Sequence, residues 1–366
     1  MSSVSNIING YVLTQDFSNK NAGTCQWSFC IKGSREYFIK QFLSPKYPLD
    51  SAEISPKQKE KKRKIADRFY HERYDFYERL KKCRTGNIVI VEDFFRWESC
   101  YYSVSEKIDT DTVPISIIAR QDDDKKITLM RSVLHSIRTL HENGIVHSDI
   151  KPDNIIIKAT DMGFYTAKII DFESSFLESA PPAVPSGDQI YFAPEALERI
   201  NDEDNEKNIT LSSKVDIFAL GVLFHEYWTG RRPSINESEY NYIHEAVLDG
   251  SPVHIARSIP DNIRSILERM LAKDPRMRPT ANDVLNELAG KPAAGETSFG
   301  SPAESSRKTV GAEETPYSDP TKPVSGSYRI KMNFPGKGKR SASAPPRREP
   351  AEPEIPEGFY ISDDLG

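Results

Sequence analysis

Two polar stretches in the middle of the chain carry side chains that could act together on a phosphate group. The first, at 147–154, places a carboxylate, an amine and a carboxamide close together as Asp149, Lys151 and Asn154. The second begins at Asp171, after an intervening stretch that we expect to form a hairpin. A carboxylate can orient a hydroxyl, an amine can offset phosphate charge, and carboxylate and amide oxygens suit Mg²⁺. This combination indicates phosphoryl transfer to a hydroxyl.

A simpler interpretation of the first stretch is a polar turn between two strands. Such a turn accounts for the proline and asparagine residues, but it does not account for the order of the chemical groups. Asp149, Lys151 and Asn154 stand at fixed offsets ahead of the apolar run that leads to Asp171. We therefore favour the chemical interpretation.

The composition is that of a largely globular chain of 366 residues, with 37% hydrophobic and 28% charged residues. The formal net charge of -5 argues against nucleic acid as a specific partner. The four cysteines form no C-x-x-C pair, which argues against a zinc ribbon and favours a reducing compartment. Neither a signal peptide nor a transmembrane segment is evident, so we expect a cytoplasmic protein.

The pattern of elements changes along the chain. Alternating aromatic and β-branched residues predict strands at 11–17, 26–32, 37–42, 88–95 and 100–105. A basic stretch at 44–64 is interpreted as a solvated linker into a helix over 65–83. Apolar residues at helical spacing then predict helices at 126–143, 215–229, 261–271 and 282–288. Strands followed by helices favour an α+β fold with a β-rich lobe and a helical lobe.

The composition shifts after residue 290. The segment 291–366 holds 11 of the 25 prolines and few large aliphatic residues, which predicts a disordered, proline-rich tail. Its charges are segregated, because 329–348 carries seven basic residues and 349–366 carries six acidic ones. A solvated tether is the simpler interpretation, and an arm that binds a regulatory partner or the protein itself is the alternative.

Taken in order, these motifs resemble those of eukaryotic-type (Hanks-type) serine/threonine protein kinases. The stretch 147–154 stands where that family has H-R-D-L-K-P-E-N, and the turn at Asp171 stands where it has D-F-G. The segment 191–195 is similar to Y-x-A-P-E, and Asp216 is similar to the aspartate at the start of the central helix. Arg278 is similar to the late arginine that pairs with the glutamate of that segment, which is Glu195 here.

The resemblance implies a bilobal protein kinase-like fold and sets the expected boundaries. We expect an N-terminal extension at 1–9, a kinase domain at 10–290 and the tail at 291–366. Within the domain, the N-lobe is expected at 10–106 and the C-lobe at 109–290.

The resemblance also implies a role for each polar residue. Asp149 is the expected base and Lys151 offsets charge on the transferring phosphate, while Asn154 and Asp171 hold Mg²⁺, or Mn²⁺ in its place. Lys40 ends a strand and is expected to bind the ATP phosphates while pairing with a glutamate of the following helix. For that glutamate we prefer Glu72 over Glu78.

The nucleotide pocket is implied in the same way. Ser105 is the expected gatekeeper, the backbone from Glu106 to Ile108 contacts adenine, and Ile156 lies beneath the base. The expected nucleotide-binding residues are Gly23, Cys25, Phe38, Lys40, Ser105, Glu106, Ile108 and Ile156.

Six positions depart from the family pattern. In the phosphate-covering loop Gly23 stands at the third glycine, but Ser18 and Lys20 occupy the first two places, and Phe38 replaces a small alanine above the base. Ser148 replaces the arginine before the base, Glu173 replaces the glycine of D-F-G, and Asp188 replaces a threonine where an acid would repel Asp149. The irregular glycine loop and the serine at Ser148 resemble bacterial or phage-borne kinases more than animal ones.

The resemblance therefore implies a serine/threonine protein kinase that uses ATP and acts on protein substrates in signalling. A pseudokinase, which binds nucleotide or partners as a scaffold without turnover, is the alternative that the departures support. A small-molecule kinase is a third and weaker interpretation, because the segment 191–195 and the later helices resemble a platform for peptide substrates.

Overall fold

The structure is a computed structural model that describes residues 6–20, 25–202, 207 and 209–290. The tail predicted at 291–366 and the predicted nucleotide-binding residue Gly23 lie outside these residues. All described residues belong to one compact unit.

The first part of the chain forms a six-stranded antiparallel sheet with the order β1-β2-β3-β4-β6-β5. Its strands are β1 (Ile7–Ile8), β2 (Tyr11–Leu13), β3 (Cys25–Lys32), β4 (Arg35–Phe42), β5 (Val91–Trp97) and β6 (Cys100–Glu106). The five predicted strands are therefore confirmed, with shifted ends. The strand β1 lies in the segment that was expected to be an extension outside the lobe.

A long helix, α1 (Pro56–Lys81), crosses this sheet. It begins much earlier than predicted, because the Ser55 side chain accepts a hydrogen bond from the Gln58 N–H and Pro56 suits the first helical position. The interpretation of the basic stretch as a linker up to residue 64 is therefore wrong. Four lysines in the first turns of the helix are exposed and can carry charge without losing helical structure, namely Lys57, Lys61, Lys62 and Lys64.

Aromatic rings join α1 to the sheet. Phe69 of the helix lies with its ring centroid 5.3 Å from that of Phe42 on β4 and 5.2 Å from that of Tyr101 on β6. The ring of Phe94 on β5 contacts both, with centroids 6.0 Å from Phe42 and 6.3 Å from Phe69. The Tyr101 hydroxyl donates to the Ala66 carbonyl at 3.0 Å, so a buried polar contact also fixes the helix.

The second part of the chain is mainly helical. Its helices are α2 (Ile115–Ile118), α3 (Asp123–Glu142), α4 (Pro194–Asn201), α5 (Lys214–Thr229), α6 (Ile243–Asp249), α7 (Asp261–Met270) and α8 (Ala281–Leu288). Four short strands lie among them, namely β7 (Ile145–Val146), β8 (Ile155–Ala159), β9 (Tyr165–Ile169) and β10 (Phe176–Leu177). The four predicted helices are confirmed as α3, α5, α7 and α8. The predicted hairpin is confirmed as β8 and β9, which pair antiparallel.

The helix α5 forms the centre of this lobe. It is apolar all around, and the side chains from Val215 to Trp228 are buried. A β-sheet region followed by a helical region confirms the predicted α+β class. Among the helices that the structure describes, none is both long and apolar enough to cross a lipid bilayer.

Candidate active site

Asp149 lies at the centre of a hydrogen-bonded group in the loop between β7 and β8. Its Oδ2 atom is 3.0 Å from Lys151 Nζ and accepts a hydrogen bond from Asn154 Nδ2 at 2.9 Å. Its Oδ1 atom accepts from the Asp188 backbone N–H at 2.9 Å. The structure thus brings the three polar residues of the first stretch together around one carboxylate.

Asp216 at the start of α5 fixes the backbone of this loop. Its buried carboxylate accepts from the N–H groups of His147 and Ser148, both at 2.8 Å. Ser148 has a φ of 65°, a left-handed conformation that costs energy in a residue other than glycine. The two hydrogen bonds offset that cost, and Asp216 thereby braces the backbone of the loop.

Gly187 allows the downstream segment to approach the loop. It has a φ of 149°, and a Cβ atom built there would lie 2.6 Å from the Ser148 carbonyl oxygen. The neighbouring Asp188 turns its carboxylate to the Ile190 N–H, at 3.0 Å, and presents its own N–H to Asp149. The expected repulsion between Asp188 and Asp149 is therefore replaced by a hydrogen bond.

Lys40 and Asp171 meet across the two lobes. Lys40 Nζ lies 2.9 Å from Asp171 Oδ1 and 2.6 Å from Glu173 Oε1. Burial alone would lower the pKa of Lys40, but the two carboxylates hold it above its ordinary value. Burial would likewise raise the pKa of Asp171, but the Lys40 ammonium lowers it below its ordinary value. Both groups are therefore charged at neutral pH.

The two polar stretches are adjacent. The Ile170 N–H donates to the Asn154 carbonyl at 3.0 Å, and a ring nitrogen of His147 lies 3.0 Å from the Ile170 carbonyl oxygen. These contacts place Asp171, which has a φ of 64°, directly beside the loop that carries Asn154. Five of the predicted residues therefore lie around one region: Lys40, Asp149, Lys151, Asn154 and Asp171.

Glu72 is not brought to this region, so the expected Lys40–Glu72 pair requires correction. Its side chain is 70% exposed and lies 3.8 Å from Arg68 on the same helix. The alternative, Glu78, pairs with Lys81 at 2.5 Å. The apolar residues of α1 set which side faces inward, and that side carries Arg73 rather than a glutamate.

Arg73 was missed from the sequence, although the signal was present. It lies four residues after Phe69 and three before Phe76, two of the residues that predict the helix. That spacing places Arg73 on the inward side, where its Nη2 atom donates to the Glu173 carbonyl at 2.7 Å.

Two of the residues predicted to bind nucleotide, Phe38 and Ser105, lie on the adjacent strands β4 and β6. Phe38, two residues before Lys40, packs against Trp27 and Phe29 with ring centroids 5.5 and 5.9 Å away. Phe38 pairs in register with Ser105. The region above the expected base is therefore lined by three aromatic rings.

The remaining predicted contacts are close to the hairpin of β8 and β9. The Glu106 carboxylate pairs with Lys168 at 2.8 Å, and Lys168 is the register partner of Ile156. Ile156 and Cys25 are buried, and Ile108 is half-buried. These contacts place the end of β6 beside the hairpin that carries Ile156.

The oxygen donors suit a hard divalent cation. Asn154 Nδ2 donates both to the backbone carbonyl and to the carboxylate of Asp149, which leaves its amide oxygen for a cation. Within the described ranges, no group of three or more His, Cys, Asp or Glu side chains could hold a metal. Two protein oxygens nevertheless fit Mg²⁺, because it usually completes its shell with phosphate and water oxygens.

A buried ion pair joins distant parts of the helical lobe. Arg278 donates to both carboxylate oxygens of Glu195, at 2.7 and 2.8 Å, and its side chain is fully buried. The pairing predicted from the two motifs is confirmed. It attaches the start of α4 to the segment before α8.

Comparison with known proteins identifies the family. A family model described as protein kinase domain matches residues 53–288, which is more than half of the chain. The chain therefore belongs to the protein kinase domain family.

Curated proteins similar to this chain include serine/threonine-protein kinase RAD53 of Saccharomyces cerevisiae, which is 28% identical over 220 residues. Calcium-dependent protein kinase 4 of Plasmodium berghei is 27% identical over 214 residues. Each alignment covers 57% of this chain, but the chain spans only 26% of the first protein and 39% of the second. The Wee1-like protein kinase of Oryza sativa is 32% identical over 162 residues, which are 43% of this chain and 27% of that protein.

Among solved structures, the crystal structure of Rad53 1-466 in complex with AMP-PNP superposes with a TM-score of 0.53. It is 22% identical in sequence, and the match covers 76% of this chain and 64% of that one. This likeness supports the kinase fold. The relatives named here are eukaryotic, and the bacterial or phage-borne origin stays a prediction.

Proposed function

We propose that this protein transfers the γ-phosphate of ATP to serine or threonine hydroxyls of protein substrates. The observation that carries the proposal is the meeting of Lys40 with Asp171, beside a loop where Asp149 contacts both Lys151 and Asn154. Phosphoryl transfer depends mainly on positioning and on charge neutralisation, and these five side chains supply the groups for both.

Each residue has a defined part in this proposal. Asp149 accepts a hydrogen bond from the substrate hydroxyl and orients it, and Lys151 beside it offsets negative charge on the transferring phosphate. Lys40 binds the nucleotide phosphates, and its amine is kept charged by its carboxylate neighbours. Asn154 and Asp171 hold Mg²⁺, which would neutralise phosphate charge when bound.

The nucleotide-binding residues form part of the same proposal. Adenine lies between the aromatic rings around Phe38 and the apolar side chain of Ile156, next to the end of β6 where Ser105 is the gatekeeper. Apolar and aromatic surfaces above and below a flat base are typical of nucleotide pockets.

The proposal also includes the extent of the kinase domain, with boundaries at 10 and 290. It further includes a partner-binding role for the tail.

A cytoplasmic location is also proposed, and the cysteines support it. Burial raises the pKa of the Cys30 and Cys83 thiols to about 11, so these side chains stay protonated and behave as small apolar groups. Such buried thiols are suited to a reducing compartment.

A nucleotide-binding scaffold is the second candidate function. The contact of Lys40 with two carboxylates favours it, because both carboxylates compete with a phosphate for the amine. The bulky ring of Phe38 above the expected base also favours it.

The test is transfer of radiolabel from ATP to the protein itself and to a generic basic protein, in Mg²⁺ or Mn²⁺. Asp149→Asn should lower the rate by about 100- to 10,000-fold, which is the usual contribution of a positioned base. Asp153→Asn is the matched control, because Asp153 lies in the same loop with an exposed side chain and should leave the rate nearly unchanged. Nucleotide binding by the wild type, with no transfer above Asp149→Asn, would support the scaffold instead.

A further inference from the structure

The Lys40 amine needs an anionic partner that stays in place while Asp171 holds a metal. Lys40 Nζ has two carboxylate neighbours, with Glu173 Oε1 the closer at 2.6 Å. In the proposed function Asp171 is a metal ligand, so its oxygens are shared between two cations. Glu173 is the carboxylate that remains for Lys40 alone.

The helix α1 supplies no such anion. Three of its acidic residues pair within the helix, and two more are exposed; they are Glu60, Glu72 and Glu78, and Asp67 and Asp75. None of these five, all in the described part of the chain, forms an ion pair with Lys40. The inward side of the helix instead presents a cation, Arg73.

Glu173 contacts both of these cations. Its carboxylate contacts Lys40, and its backbone carbonyl accepts from Arg73 Nη2 at 2.7 Å. The Glu173 side chain is only 19% exposed, and that of Lys40 is 18% exposed, so water screens the contact weakly. The Glu173 carboxylate therefore balances the charge of Lys40, while its backbone carbonyl holds Arg73.

We propose that Glu173 is the positioning residue for Lys40, in the place of the glutamate that the family resemblance assigns to the helix. This inference rests on the proposed function. Arg73 then holds the segment 171–173 against α1 through the Glu173 carbonyl. The connection between α1 and Lys40 is thus made through Glu173. The substitution Glu173→Gly would remove this connection, although glycine is the family's residue at this position.

The test compares Glu173→Gly and Glu173→Gln with the matched control Glu72→Gln. Because a small misplacement of a reacting group can cost about two orders of magnitude, kcat should fall about 10- to 100-fold in both Glu173 variants. The KM for ATP should change much less, and Glu72→Gln should behave as the wild type. Wild-type rates in the Glu173 variants, or an equal loss in Glu72→Gln, would overturn the inference.

A charge exchange gives the second arm. The double variant Arg73→Glu with Glu173→Gly places a carboxylate on the inward side of α1. It should recover a large part of the kcat that Glu173→Gly alone loses. A double variant that folds with the wild-type melting temperature, yet transfers phosphate no faster than Glu173→Gly, would contradict the proposal.

A third arm does not depend on turnover. In nucleotide-free protein, labelling of Lys40 by an amine-reactive ester, measured relative to Lys151, should rise in both Glu173 variants and stay constant in Glu72→Gln. Unchanged labelling together with a shifted Mg²⁺ dependence would assign Glu173 to the metal and overturn the inference. If the wild type transfers no phosphate, the proposed function fails, while labelling still decides whether Glu173 holds Lys40.

Discussion

The loop that carries Asp149 and the cluster around Lys40 are held in place in different ways. The loop is fixed through its backbone, because buried Asp216 accepts from two consecutive N–H groups. The Lys40 cluster is fixed by side-chain charges from β4 and from the segment 171–173. Backbone hydrogen bonds require one local geometry, whereas an ion pair requires only an opposite charge within reach.

This difference explains which parts of the site follow the family pattern. A loop with a fixed backbone needs its chemical residues at fixed offsets, and 147–154 keeps them. The anion of an ion pair can come from any neighbouring element, and here it is the carboxylate of Glu173 rather than a residue of α1. Departures from a family pattern are therefore expected first where charges, and not backbone geometry, do the positioning.

The largest expected effect concerns the buried pair of the helical lobe. Arg278→Ala leaves the buried Glu195 carboxylate without its partner, which should lower the free energy of unfolding by about 3–5 kcal/mol. Arg68→Ala breaks an exposed pair of the small lobe and should cost about 1 kcal/mol or less. Urea unfolding of the two variants measures the free energy of unfolding that each one loses. Equal losses would show that the buried pair stabilises the protein no more than the exposed pair does.

Gly187→Ala tests the backbone control of the loop. The added Cβ would meet the Ser148 carbonyl at 2.6 Å and lie 3.4 Å from Asp149 Oδ1, so the base should be displaced. Transfer should fall about 100-fold, as expected for a misplaced catalytic group.

Gly33→Ala is the matched control for this change. Gly33 also has a positive φ, of 63°, but nothing lies within 4 Å of a Cβ built there. It should lose about 1–2 kcal/mol of stability, the usual cost of a left-handed conformation, with no loss of transfer rate. Normal transfer by Gly187→Ala would show that the loop tolerates backbone movement.

A pH dependence of stability is expected from His244, which is buried on α6 against Tyr242 and Phe192. Burial lowers its pKa to about 4, although Glu245 and a backbone hydrogen bond with Gln189 act in the opposite direction. Between pH 6.5 and 4 the unfolded chain therefore binds a proton that the folded chain does not. Stability should fall as the pH falls through this window, by roughly 2 kcal/mol at pH 5.

The measurement is urea unfolding at pH 7 and pH 5 for the wild type, His244→Gln and His71→Gln. His244→Gln should lose most of this pH dependence, whereas His71→Gln, an exposed position on α1, should keep it. An unchanged dependence in His244→Gln would assign the effect to other groups.

Much of the fold could be predicted because the spacing of apolar residues indicates where most of its helices and strands lie. The periodicity of α3 and the apolar length of α5 predicted both helices within a few residues of their ends. The start of α1 could not be predicted from apolar spacing, because its first turns are charged and exposed. There the Ser55–Pro56 cap, and not the hydrophobic pattern, sets the boundary.

The site could be predicted only in part for a related reason. Asp149, Lys151 and Asn154 are close in sequence, so their spacing alone indicates a common loop. The partner of Lys40 depends on the rotation of α1 about its axis, and one residue of rotation separates Glu72 from Arg73. The inward positions Phe69 and Phe76 fix that rotation, and they place Arg73 rather than Glu72 on the inward side.

The aromatic contacts between α1 and the sheet have a mechanical consequence. The Phe69 ring is enclosed by Phe42 and Tyr101, and the Tyr101 hydroxyl is tied to the helix backbone at Ala66. Swinging the helix away on its own would pull these rings apart and expose them to water. We therefore expect α1 and the sheet to move together as one unit. The distance from Lys40 to the helical lobe then depends on how far that whole unit tilts.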